Sequence, residues 1–119
     1  MTSLDAATGI TTAWTLRDNI LSEVDVEMAR QDEKWGEQNH PDVDHRSAYP
    51  VFNAFAERYK AANNLAASGA GPMLDWSGIL LEEVYEALSE EDPAKLRAEL
   101  IQVAAVATQW VAAIDRRGE

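Results

Sequence analysis

A chain of 119 residues has the length for one domain with one core, and its 46% hydrophobic share argues against disorder throughout. The absence of cysteine excludes disulfides, thiolate metal sites and a cysteine nucleophile, and it suits a reducing compartment. A formal net charge of −11 opposes binding to the backbone of DNA or RNA, which needs Lys and Arg to release counterions; a small phosphorylated ligand would need a divalent cation as a bridge.

Residues 1–12 are rich in Thr, Ala and Ser and weakly periodic, which predicts a mobile tail ahead of one helical domain over residues 13–119. No basic stretch precedes an apolar run at the start, and no segment approaches the roughly 18 apolar residues of a membrane span. A cytoplasmic protein without a membrane partner is therefore expected. A first helix is predicted from Thr15 to Trp35, with Thr15 and Asp18 as a capping pair and Gly36 as the stop. Its apolar stripe is Ile20, Leu21, Val24, Met28 and Trp35, with Gln31 on the same side.

Residues 36–49 have no period and many turn formers, so they read as a loop. His40, Asp42, Asp44 and His45 crowd this loop, but their spacing fits no zinc or calcium pattern and a plain polar loop is favoured. A second helix is expected from Pro50, presenting Phe52, Phe55, Tyr59 and Ala62 and ending before Gly69. Asp75 or Ser77 caps a third helix running to about Glu90. Asp92 and Pro93 start a fourth that ends near Arg117. Nothing alternates long enough to predict a strand. Four helices with short connections predict an all-α, four-helix bundle-like fold.

Carboxylates sit inside two of the apolar stripes. With Leu80 as the zero direction on the third helix, Ala87, Val84, Leu88, Leu81 and Ile79 share one side, and Glu83 falls among them at about −60°. Glu86 lies at the edge, near −120°, whereas Glu82 and Ser89 point away toward solvent, on the same ~100° per residue. On the fourth helix, with Val103 as zero, Glu99 falls near −40° between Val106 and Trp110, and Gln102 near about −100°. A lone buried carboxylate costs several kcal/mol unless protonated, paired or bound to a cation. Glu83, Glu86 and Glu99 gathered at one point would repel unless a divalent ion neutralised them. Oxygen donors without cysteine favour Mg²⁺, with Mn²⁺ as the alternative. The plainer reading makes these residues the ion-paired edge of surface helices.

Glu83-Val84-Tyr85-Glu86, then twelve residues, then Glu99-Leu100-Ile101-Gln102, resembles the E-x-x-E … E-x-x-D signature of the all-α nucleoside triphosphate pyrophosphohydrolases. These are the MazG-like proteins and their relatives, the dimeric dUTPases and dCTP pyrophosphatases. The string from Trp76 through ILLEEVYEAL to AELIQVAAVATQWVAAIDRR, and RQDEKWGEQNHPD from Arg30 to Asp42, resemble a subgroup found in actinobacteria and their phages. The resemblance covers about residues 27–117 and is weakest over 54–73. It implies a MazG-like fold completed by oligomerisation into a homodimer or homotetramer. It further implies Mg²⁺-dependent hydrolysis of a nucleoside triphosphate to monophosphate and pyrophosphate, as in house-cleaning of the nucleotide pool.

Carried over, Glu83, Glu86, Glu99 and Gln102 are the metal positions, with Glu83 or Glu86 also aligning or deprotonating the attacking water. Gln102 stands where the family has Asp; its amide oxygen can coordinate but brings no charge and cannot act as a base. Glu82 or Glu90 would have to compensate. By the same resemblance Lys34 meets phosphates, Trp35 lies near the base and Gln31 hydrogen-bonds there, against the plainer reading of a core Trp35 and a solvated Lys34. Trp76, just ahead of the acidic helix, either stacks on a base or packs within the protein. Small and apolar Ala98, Ile101, Ala105 and Ala112 on the back of the fourth helix also point to self-association. Two other function classes compete with the hydrolase: a binding module weakened through Gln102, and a helical protein-interaction domain.

Overall fold

Four α-helices make up nearly all the regular structure in a computed structural model of the chain, which describes residues 2–4, 11–13, 15–71 and 73–118. They are α1 (Leu16–Trp35), α2 (Ala48–Ala67), α3 (Trp76–Ser89) and α4 (Pro93–Arg117). None of them is long and apolar enough to cross a membrane.

Their ends follow local chemistry. The Thr15 hydroxyl accepts from the Asp18 amide while the Asp18 carboxylate accepts from the Thr15 amide, both at 3.0 Å, so two orphan donors of α1 are satisfied. At the other end Gly36 adopts φ 69° and donates to the Asp32 carbonyl at 2.7 Å, a conformation open to glycine. Asp75 caps α3 through the Gly78 amide at 2.8 Å, and Asp92 caps α4 through the Lys95 amide at 3.0 Å. Helix α2 starts at Ala48, two residues ahead of the expected Pro50. Proline is tolerated there because the first-turn N–H it lacks would have no intrahelical partner.

Two three-residue strands, β1 (Thr2–Leu4) and β2 (Thr11–Ala13), pair antiparallel with Thr2 opposite Ala13. The sequence predicts no strand, because three residues are too few to register a period of two. The remainder of the expected tail over residues 1–12 lies outside the described residues.

The chain divides into two units, Met1–His40 with Val111–Glu119, and Pro41–Trp110. In the second unit α2 and α3 pack as an antiparallel pair. Tyr85 of α3 is stacked by Phe52, Phe55 and Tyr59 of α2, with ring centroids 6.4, 5.1 and 5.8 Å away. Nearer the other end of α2, the Asn63 amide donates to the Gly78 carbonyl at 3.0 Å and to the Glu82 carboxylate at 2.8 Å. A Cβ at position 78 would lie 2.7 Å from the Asn63 side-chain oxygen, so a larger residue there would make the Asn63 amide shift. The start of α3 also meets the end of the α4 portion of this unit, where Trp76 stacks on Trp110 at 6.4 Å and 11°. Ala56 and Ala87 are the buried hydrophobic residues here, and α3 is half-buried or buried at every position from Gly78 to Ser89.

Among the described residues of the first unit, Ile20 of α1 and Ala112 of α4 are buried. Leu21, Val24, Val26, Met28 and Trp35 of α1 are all exposed.

Candidate metal centre

Helix α3 carries the site because its spacing brings three carboxylates to one patch. Glu82, Glu83 and Glu86 each offer an oxygen within 4.8 Å of the others, and all three residues are half-buried. Glu83 and Glu86 lie three residues apart and therefore share a face; Glu82 is adjacent to Glu83 in sequence. Glu82 corrects the sequence reading, which sent it to solvent. That reading gave α3 one packing side, whereas α2 covers the opposite side through Gly78, Glu82 and Tyr85. Asn63, which sequence reasoning did not single out, holds one Glu82 oxygen. A lone Asn on a helix gives no sequence signal for such a role.

The electrostatics of the patch are those of crowded carboxylates. Burial, then repulsion from Glu99 and Glu82, push the Glu83 carboxyl above its ordinary range. The Glu86 carboxyl is pushed up to about 7 by burial, then by Glu83, Glu82 and Glu99, with Lys60 opposing weakly. Glu99, half-buried on α4, raises both carboxyls, but it is not among the three whose oxygens converge, so the expected gathering of Glu83, Glu86 and Glu99 is replaced by Glu82, Glu83 and Glu86. Gln102, one turn further along α4, is exposed, and no hydrogen bond ties it to the patch. Glu90 does not join it either; its carboxylate accepts from the Asp92 amide at 3.1 Å. Arg46 is paired with Glu91 at 2.9 Å.

Glu82, Glu83 and Glu86 could hold a hard cation through oxygen donors alone, and among the described residues the exposed Lys60 opposes the rise at Glu86 only weakly. Among the described residues no other group of three or more His, Asp or Glu converges in this way. His40, Asp42, Asp44 and His45 follow the polar-loop reading: His40 bonds Gln38 at 3.0 Å and His45 lies 3.6 Å from Asp44, all exposed.

The residues expected to hold substrate are distributed over both units. Trp76 lies in the second unit with the carboxylates, half-buried and with Trp110 stacked beside it. Gln31, Lys34 and Trp35 lie on α1 in the first unit, and all three are exposed. Gln31 donates to Glu27 at 3.2 Å, and Lys34 Nζ sits 4.9 Å above the Trp35 ring. Glu27 also accepts from Arg30, whose hydrogen bonds, with that from Gln31, hold its carboxyl down at about 2. Comparison with known protein families, with curated proteins and with solved structures finds no match to this chain.

Proposed function

We propose that the protein is a Mg²⁺-dependent nucleoside triphosphate pyrophosphohydrolase of the MazG-like kind, acting on the cytoplasmic nucleotide pool as a homodimer or homotetramer. The observation that carries this reading is the convergence of Glu82, Glu83 and Glu86 within 4.8 Å on a half-buried helix. The motif that brought the resemblance supplies two of these residues and adds Glu99 from α4. A net charge of −11 further requires that any triphosphate reach the protein through a cation.

Glu83, Glu86 and Glu99 would hold the ion, with Glu82 in the place of the charge that Gln102 lacks. Bound there, Mg²⁺ supplies neutralisation of the triphosphate and a water of lowered pKa. Glu83 or Glu86 would align or deprotonate the attacking water. Trp76 offers an aromatic face two helical turns from Glu83 for a base. Gln102 favours a second reading: a module that binds metal and nucleotide but turns over slowly, because the fourth position is neutral and exposed.

Pyrophosphate release from a panel of nucleoside triphosphates with Mg²⁺ tests the hydrolase. Release that Glu83→Ala abolishes supports it. Thermal stabilisation by Mg²⁺ and nucleotide without release supports the binding module. Indifference to both overturns the two readings together.

A further inference from the structure

Helix α2 contributes no residue to the paired acidic motif, and it spans the stretch where the family resemblance is weakest, yet one of its side chains reaches the acidic patch. The Asn63 amide nitrogen donates to Glu82 Oε1 at 2.8 Å and to the Gly78 carbonyl at 3.0 Å. An ionised carboxylate and a carbonyl only accept, so the nitrogen of the amide, not its oxygen, must face them, and both of its N–H groups are in use. The two acceptors are four residues apart on α3 and lie one above the other, which lets a single amide reach both. The register is set independently one turn earlier on α2, where Tyr59 stacks on Tyr85 at 5.8 Å and 9°. Among the described residues, Glu82 is the only carboxylate of the converging three that accepts a hydrogen bond.

We propose that Asn63 is a positioning residue of the metal centre, holding the Glu82 carboxylate beside Glu83 and Glu86 where a divalent cation would meet all three. The inference rests on the metal-dependent reading above and adds to it a residue that the paired acidic motif does not contain.

The chemistry of the donor is the first argument. A neutral amide orders a carboxylate without neutralising it, whereas Lys or Arg in the same place would form an ion pair and compete with the cation. Lys60, one turn earlier on α2, is exposed and forms no ion pair with the three among the described residues. Capacity is the second. A carboxylate has about four lone-pair sites, so one hydrogen bond from Asn63 leaves donors for an ion. Order is the third. A glutamate side chain loses much of its rotamer freedom when it binds, and a partner that fixes it beforehand lowers that loss. Hydrogen bonds to ligating carboxylates act in this way at metal sites generally.

The test is Mg²⁺ affinity by calorimetric titration of the full chain without nucleotide, with urea unfolding of the same samples. Asn63→Leu keeps the shape of the side chain and removes its donors. It should weaken Mg²⁺ binding about 10-fold or more in protein that stays helical, and Asn63→Ala, the second variant, should do the same. Glu82→Gln retains Glu83 and Glu86, and in that background Asn63→Leu should weaken binding no further. A lowered urea midpoint with unchanged Mg²⁺ affinity would make Asn63 a tie between helices, overturning the proposal and leaving the metal site standing. An equal loss of affinity in both backgrounds, or a chain that folds with neither substitution, overturns it as well. A wild type that binds no Mg²⁺ overturns the metal-dependent reading, and the role of Asn63 with it.

Discussion

Helices α3 and α1 depart from the ordinary rule of burial in opposite directions. Along α3 every residue from Gly78 to Ser89 is at least half-covered, and three of the covered residues are glutamates. Along α1 every residue from Leu21 to Trp35 is exposed, and five of these are large and hydrophobic. Half-buried acid and exposed apolar surface are the two observations that carry information, because scattered exposed charge or a buried leucine needs no explanation. The two helices thus differ in what they leave unmatched: α3 gathers acid under cover, and α1 presents apolar side chains outward.

The sharpest break between them is Glu83→Ala. Pyrophosphate release should fall at least about 100-fold with the loss of a ligand, while the fold, relieved of repulsion, should hold its denaturation midpoint. No change in release would separate α3 from any chemistry. Next in size is Tyr85→Ala, which removes the ring on which three α2 aromatics stack and should cost about 3 kcal/mol by urea unfolding. Met28→Ala on the uncovered helix, measured at a concentration where the chain is monomeric, should cost far less. Equal losses would mean that the α1 stripe is covered in the single chain.

A smaller and reversible effect is the pH dependence of the metal-free protein. Glu83 and Glu86 keep their protons in the folded state to a higher pH than in the unfolded chain, where carboxyls titrate near 4.5. Their contribution is therefore fully present below that value and is lost as pH rises toward 7, so thermal midpoints in chelator should fall over this window. Mg²⁺ should restore the midpoint above pH 7, and Glu86→Gln should flatten the profile. Smallest is Thr15→Ala, which removes one half of the α1 capping box and should cost about 1 kcal/mol, read as a lowered unfolding midpoint.

Much of the fold was legible because it was written in local chemistry. The capping of α1 by Thr15 and Asp18, its stop at Gly36, and the starts of α3 and α4 at Asp75 and Asp92 each follow from one side chain or one backbone conformation. The crowding of Glu83 and Glu86 followed from helical spacing alone. Glu82 was misjudged because a helical wheel assumes one packing side, while α3 meets α2 on one side and Trp110 of α4 on another. Asn63 was invisible for a related reason: its partners, the Gly78 carbonyl and the Glu82 carboxylate, lie fifteen and nineteen positions away on another helix. The paired strands were missed because six residues carry no pattern that chance would not supply.

The seat of Asn63 on Gly78 has a mechanical consequence. One amide grips both a backbone carbonyl and a carboxylate, so α2 and α3 are pinned at that level like two rods sharing a dowel. Sliding either by a turn would break both of these hydrogen bonds. The aromatic stack on Tyr85 tolerates small displacements, but the pin does not. Motion at this hairpin should therefore take the form of rocking about residue 63, with the carboxylates of α3 carried along as a set.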